Sequence, residues 1–362
     1  MPKSTKYLLV GSTEAYSGKS ATVLGLAHQL QKRGLEIIYG KPLGTCWDFS
    51  QGEMIEEDVQ FITQTLDLPQ NRLLPTILPM TDATIQKRIR GEDQANYPLM
   101  LKQYLQAQES DLVLLEGPSN LEEGSLFDLS LQQAAEILDA KIVLVARFHT
   151  LLIVGALISA KRRLGDRFLG AFINDIPQDR LEEVQSSVQP FLEERGVPIL
   201  GLMPRNDLLR SVSVGELVKK LNAEVLCRSD RLDLMVESLS IGAMNVNSAL
   251  KYFRKGRNMA VITGGDRTDI QLAAIETSTQ CLILTGQMRP HPDVVSRAED
   301  LEIPILSVDL DTLTTVEIVD QAIGQVRIHE PIKLDCLYGM MEQHFDFDRL
   351  LADLNLESVA TV

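Results

Sequence analysis

The chain has 362 residues, 44% hydrophobic and 23% charged, the balance of a soluble globular protein with room for about two domains. Its 35 Lys and Arg against 50 Asp and Glu give a net charge of −15. That excludes nucleic acid and anionic membrane as general partners, because both need a basic face, but leaves room for a local phosphate pocket. Cys46, Cys227, Cys281 and Cys336 are far apart and form no CxxC pair, which disfavours a zinc site or disulfide scaffold and fits a reducing cytoplasm.

In chain order, Tyr7 to Val10 reads as a buried strand and Ser20 to Arg33 as a helix, with Val23, Ala27 and Leu30 on one face and Gly34 as its stop. Leu35–Tyr39, Asp111–Leu115, Lys141–Val145, Phe168–Ile173 and Pro198–Leu202 follow as apolar strands. Unbroken apolarity means strands covered on both faces, hence a mainly parallel sheet in a layered α/β domain. Leu151 to Ala160 is the longest apolar stretch, about half a membrane span, and reads as a buried helix.

Near Pro204 the rhythm changes. Gly215–Leu221 is a short helix, and Met259–Ile262, Cys281–Leu284 and Ile305–Val308 are strands of a second α/β unit. Helices are expected at Ile270–Ile275, Asp293–Ala298 and Val316–Ile323. The expected division is 1–207 for a nucleotide-binding domain, 208–330 for a smaller regulatory domain and 331–362 for a C-terminal tail, with a helix at Phe345–Leu354.

The segment GSTEAYSGKS, Gly11 to Ser20, joins the first strand to the first helix. Such a loop can wrap backbone N–H groups around a phosphate while the helix N-terminus adds partial positive charge. Gly18 permits close approach, Lys19 supplies a point charge to the β/γ oxygens, and Ser20 can hold Mg²⁺. Thr13 stands where the common loop has its first glycine. The structural alternative is a plain turn with an exposed lysine. Glu116 closes the strand 111–115, at the strand end where open parallel sheets bind ligands, and is a candidate metal carboxylate; the alternative is a solvated strand-end acid. Asp58 opens a helix, where an acid is usually a cap. Lys41, ending the second strand, can reach the same crevice.

Gly18-Lys19-Ser20, Gly40-Lys41-Pro42 and Leu115-Glu116-Gly117 together resemble the P-loop group that contains dethiobiotin synthetase and the cobyrinic acid a,c-diamide synthase-like proteins. The closer similarity is to the dethiobiotin-synthetase-like N-terminal region of long bacterial phosphotransacetylases, where the form seen at Ser12–Ser20 is usual. The resemblance implies phosphate and Mg²⁺ at Lys19 and Ser20, metal carboxylates at Asp58 and Glu116, and the γ-phosphate or a substrate at Lys41. Asn174 and Pro204 match positions that frame an adenine; an amide can pair with the N6 and N7 edge, and the alternative for Asn174 is a turn residue. Thr263 to Asp269 resembles the signature of the DRTGG domain, with Asp269-Ile270 where the name has Gly-Gly. There Gly264 and Gly265 offer backbone N–H groups and Arg267 a fork for an anion. Asp266 or Thr268 would cap the next helix; the alternative is a structural turn with an Asp266–Arg267 contact.

The expectation is therefore a cytoplasmic regulatory or sensory protein that binds ATP, or another purine nucleotide, with Mg²⁺ and hydrolyses it slowly or not at all. A small ligand for the second domain and self-association into a homo-oligomer are expected with it. No acetyltransferase domain is found among the residues, so phosphate acetyltransferase activity is not expected. The alternative is an ATP-dependent ligase that activates a carboxylate or carbamate held beside Lys41. Pro118, which stiffens the loop after Glu116, counts against it.

Overall fold

The six apolar runs of the first 205 residues become strands β1 (Lys6–Ser12), β2 (Ile37–Gly40), β4 (Leu112–Glu116), β5 (Lys141–Arg147), β6 (Phe168–Ile176) and β7 (Ile199–Pro204), and a short strand not read from the sequence, β3 (Leu73–Leu74), joins them. In the computed structural model, which describes residues 5–45, 47–50, 53–106, 109–324, 328 and 330–357, they form one sheet. Its order is β7-β6-β5-β1-β4-β2-β3, and every pairing is parallel. Every residue of β4 and the middle of β5 is buried, as expected of strands covered on both faces. Strand order reverses beside β1, which lies between β4 and β5 and places the loop after Ser12 at a ligand-binding crevice.

Two compact units result, Met1–Arg205 with His329–Val362, and Asn206–Ile328. The segment read as a tail is thus part of the first unit, where it forms two helices, Pro331–His344 and Phe347–Leu354. The reason lies in helix α1 (Lys19–Lys32), which buries more than one face: Leu24, Gly25, Leu26 and Gln29 are covered as well as Val23, Ala27 and Leu30. A Cβ on Gly25 would fall 2.6 Å from Met341 Cγ, Gln29 Nε2 donates to the Tyr338 carbonyl at 3.1 Å, and the His28 and Tyr338 rings stack at 3.6 Å.

Two further readings differ. The helix around Leu151–Ala160 runs over Ile153–Leu164 and is buried on one stripe only, Ile153, Leu157, Ala160 and Leu164; Leu152 is 85% exposed. Apolar composition overstated its burial because Gly155, Ala156 and Ser159 can face solvent without penalty. Cys46 lies outside the described residues; Cys227, Cys281 and Cys336 are free thiols.

The second unit has a five-stranded sheet of β8 (Glu224–Cys227), β9 (Ser238–Ile241), β10 (Met259–Gly264), β11 (Thr279–Thr285) and β12 (Ile305–Val308). Its order is β8-β12-β11-β10-β9, parallel except for β8 on β12. Separate apolar clusters cover its two faces. Among the described residues no helix is long and apolar enough to cross a membrane.

Candidate functional site

The loop after β1 is held before any ligand arrives. The Thr13 N–H still donates to the Val145 carbonyl at 3.1 Å, and Ser12 Oγ donates to the Ser119 carbonyl at 2.7 Å. Gly18 has φ 91°, and a Cβ there would lie 2.2 Å from Asn174 Nδ2. Conformation and space both require glycine. Asn174, on β6, donates through Nδ2 to the Ser17 carbonyl at 2.9 Å. The Gly18 carbonyl accepts from the Thr22 N–H and hydroxyl, each at 2.9 Å, and starts α1. No side chain caps α1 and no acid lies in its first turn. Its first N–H groups are therefore suited to an anion. Ser17 Oγ is buried, with the residue 1% exposed, and has no hydrogen-bond partner among the described residues. Leaving such a hydroxyl unpaired costs about 1–3 kcal/mol, which a phosphate oxygen in the loop would offset.

Around this loop stand two lysines and three carboxylates. Lys19 Nζ lies 2.6 Å from Glu116 Oε1, and Ser20 Oγ donates to the same oxygen at 2.7 Å. The Tyr39 hydroxyl donates to Glu116 Oε2 at 3.2 Å. Lys41 Nζ lies 2.5 Å from Asp58 Oδ2, is bonded to Glu56 Oε1, and is 4.0 Å from Glu116 Oε1. Lys41 is 2% exposed and Glu116 1%. The registers explain the convergence: Gly40 pairs with Leu115, so Lys41 and Glu116 leave neighbouring strands at one level.

Burial pushes the Glu116 carboxyl up, but the Lys19 and Lys41 charges outweigh it and hold the group at about 2. Burial works against the Lys41 ammonium, yet Glu116, Asp58 and Glu56 raise its pKa above the ordinary value. Burial and the Glu116 charge push the Tyr39 phenol well up. Burial also raises the Glu56 carboxyl, against the pull of Lys41.

Gly18, Lys19, Ser20, Lys41, Asp58, Glu116 and Asn174 thus meet at one strand-end crevice. Asp58 does not cap its helix, α2 (Glu57–Thr65); Glu56 does, accepting from the Val59 N–H at 2.9 Å, and Asp58 is left to face Lys41. Pro204 ends β7 opposite Ile176. Sequence reasoning missed Glu56, Tyr39 and Ser17. An acid three residues before Val59 was an N-cap signal for Glu56, but its grip on Lys41 has no local signature.

In the second unit, the Gly265 N–H is not free: it donates to the Thr285 carbonyl at 3.1 Å, because β10 runs beside β11 to its end. A Cβ on Gly265 would lie 2.3 Å from the Met288 carbonyl oxygen. Gln271 Nε2 bonds the carbonyls of Gly264 and Gly265 at 2.9 and 3.0 Å. Arg267 turns its fork to Asp269, at 3.1 and 3.2 Å, and to the Met244 carbonyl at 3.0 Å, not to Asp266. Helix α3 (Thr268–Ile275) has Arg267 at its N-cap position with no side-chain cap, so neither Asp266 nor Thr268 caps it.

A family model described as an AAA domain matches residues 6–213, more than half of the chain. The chain belongs to this AAA-domain family. A second model, the DRTGG domain, matches residues 216–322 and agrees with the reading of Thr263–Asp269. This AAA-domain chain is 26% identical over 363 residues to phosphate acetyltransferase of Synechocystis sp., covering 96% of this chain and 51% of that protein. It is 25% identical over 365 residues to phosphate acetyltransferase of Nitratidesulfovibrio vulgaris, covering 95% and 51%. The chain spans about half the length of the curated relatives it matches. Among solved structures it is similar to the MinC:MinD cell division protein complex of Aquifex aeolicus, at 14% identity and TM-score 0.37, over 57% of this chain and 83% of that one. The fold is that of a P-loop NTPase followed by a DRTGG domain, a pairing that supports nucleotide binding.

Proposed function

We propose that the first unit binds a purine nucleotide, ATP first among them, with Mg²⁺, and acts as a regulatory or sensory module with slow or no hydrolysis. The observation that carries this reading is the meeting of Lys19, Ser20 and Glu116 beneath a loop with a buried, unpartnered Ser17 hydroxyl. Ser20, Glu116 and Asp58 would hold the metal, and Asn174 and Pro204 would frame the base. Among the described residues no three His, Cys, Asp or Glu side chains form a metal cage. Mg²⁺ does not need one, since it usually takes one or two carboxylates and completes its shell with phosphate and water. When bound, it would neutralise phosphate charge. Lys19 would leave Glu116 for the β/γ oxygens, which releases Glu116 for the metal side. Lys41 would stay with Glu56 and set the charge behind the γ position.

For the second unit we propose the binding of a small ligand whose occupancy is sensed with that of the nucleotide, with Gly264, Gly265, Asp266 and Arg267 as the candidate contact loop. Arg267 would have to exchange Asp269 for the ligand. Acetyl transfer from phosphate to coenzyme A is not part of the proposal, and an assay for acetyl phosphate formation checks that.

Calorimetry of ATP binding with and without Mg²⁺, on the wild type and on Lys19→Ala, tests the reading, with phosphate release followed on the same samples. The wild type should bind in a Mg²⁺-dependent way and the variant at least about tenfold more weakly, the value of one lost charge-assisted contact. A wild type that binds no purine nucleotide overturns it. The ligase alternative predicts phosphate release that depends on an added carboxylate.

A further inference from the structure

Glu56 is held at both carboxylate oxygens. Oε2 accepts a hydrogen bond from the Val59 N–H at 2.9 Å and Oε1 accepts one from the Lys41 ammonium. The residue is 5% exposed. On the reading above, Asp58 and Glu116 serve the metal, and Glu56 is left as the standing partner of Lys41.

We infer that Glu56 is a built-in carboxylate that occupies the place an acid co-substrate would need on Lys41, so that the nucleotide site is closed to carboxylate and carbamate acceptors. An ammonium has three N–H donors. Two meet Glu56 and Asp58, and Glu116 stands 4.0 Å from the same nitrogen. A carboxylate entering from solution would be a fourth anion around a group that solvent scarcely reaches. Glu56 cannot swing aside freely, because its other oxygen closes the N-terminus of α2. The inference deepens the proposed function and rests on it: the γ-phosphate would face water or nothing, and the site would lack the acceptor that a ligase requires.

The same geometry supplies the test. Removing the Glu56 carboxylate leaves a hole between the Val59 N–H and the Lys41 ammonium, two donors spaced for a small carboxylate. Glu56→Ser is the variant of choice, because serine is itself a good N-cap and keeps α2 started. Glu56→Gln fills the hole and is the control. In the full chain, formate or acetate, against equal chloride, should raise the melting temperature of Glu56→Ser by about 2–4 °C and its nucleotide affinity by about threefold or more, and leave Glu56→Gln and the wild type unchanged. Wild-type phosphate release should change less than about twofold with formate, acetate, succinate or bicarbonate plus an amine. Formate that acts no differently from chloride on Glu56→Ser overturns the inference, as does a carboxylate that raises wild-type phosphate release about tenfold. The wild-type arm stands even where a variant does not fold. A wild type that binds no nucleotide sinks the proposed function alone, because carboxylate-dependent melting of Glu56→Ser is read without nucleotide.

Discussion

Gly18 carries two independent constraints, and they can be separated. Its φ of 91° is left-handed, and the space for a Cβ is filled by the Asn174 amide. Gly18→Ala should cost about 1–3 kcal/mol of stability, the range for a non-glycine residue in such a conformation, and should weaken nucleotide binding. Gly18→Ala with Asn174→Ala should recover only part, since the double variant relieves the collision and keeps the strain; denaturant melts of both variants check it. Glu116 makes a pH prediction. Its folded pKa of about 2 lies below the ordinary 4.5, so the folded state binds fewer protons than the unfolded one. Its stabilisation is full above pH 4.5 and is lost as pH falls toward 2. Wild type should lose stability over that window more steeply than Glu116→Gln, and equal acid slopes would sink the assignment. Gly18, Lys19, Ser20, Glu116 and Lys41 were legible in the sequence because each sits at a fixed step from a strand end. Glu56 was not, because a hairpin of Trp47–Ser50 and Glu53–Glu56 carries it to Lys41. Tyr39 reads as an ordinary strand residue until β2 is placed beside β4.

Helix α1 joins the phosphate loop to the C-terminal helices, so its two ends do different work. Its N-terminus follows the loop after β1, and its length is clasped by α4 (Pro331–His344), with α5 (Phe347–Leu354) following through Phe345, which bridges to Gly201 on β7. At Gly25 the two helices approach too closely for a side chain. Gly25→Val should therefore push Met341 aside and cost about 1–3 kcal/mol, the usual range for overpacking. Denaturant melts should show Gly25→Ala to be milder than Gly25→Val, since it adds one carbon where valine adds three. His28, stacked on Tyr338, has its pKa lowered by burial and by Lys32, with Glu342 opposing. A depressed histidine pKa means the unfolded state takes the proton first, so this contact weakens as pH falls below 6.5. Lys32 on α1 and Glu342 on α4 lie beside it and pair at 3.2 Å. The sequence disclosed one face of α1 and not the other. Periodicity reports that a face is apolar, whereas Gly25 and Gln29 are covered through shape and a hydrogen bond, which have no hydrophobic signature.

At the scale of the molecule, the chain begins and ends in the same unit and runs through the DRTGG unit between. The layered α/β class and both strand rhythms were legible because buried parallel strands are written as continuous apolar runs. The return of residues 329–362 was not, since amphipathic helices do not name the surface they cover. That return has a consequence for folding: Gln29 meets Tyr338 across 309 residues, and Lys32 meets Glu342 across 310. The first unit thus includes contacts that only residues 330–357 can supply. Leu337, Met341, Phe345, Phe347, Leu350, Leu351 and Leu354 are each no more than 5% exposed. At about 2 kcal/mol for each buried side chain, their loss approaches the whole net stability of an ordinary domain, about 5–15 kcal/mol. A chain cut after Ile328 should therefore fail to hold the first unit folded while the second keeps its sheet. Hydrogen exchange reads the two separately: amides of β1 and β4 should lose protection and those of β10 and β11 should keep it. Adding a peptide of residues 329–362 in trans should restore both the β1 and β4 protection and nucleotide binding. Wild-type protection in β1 and β4 of the cut chain would show that the C-terminal helices cover α1 without supporting it.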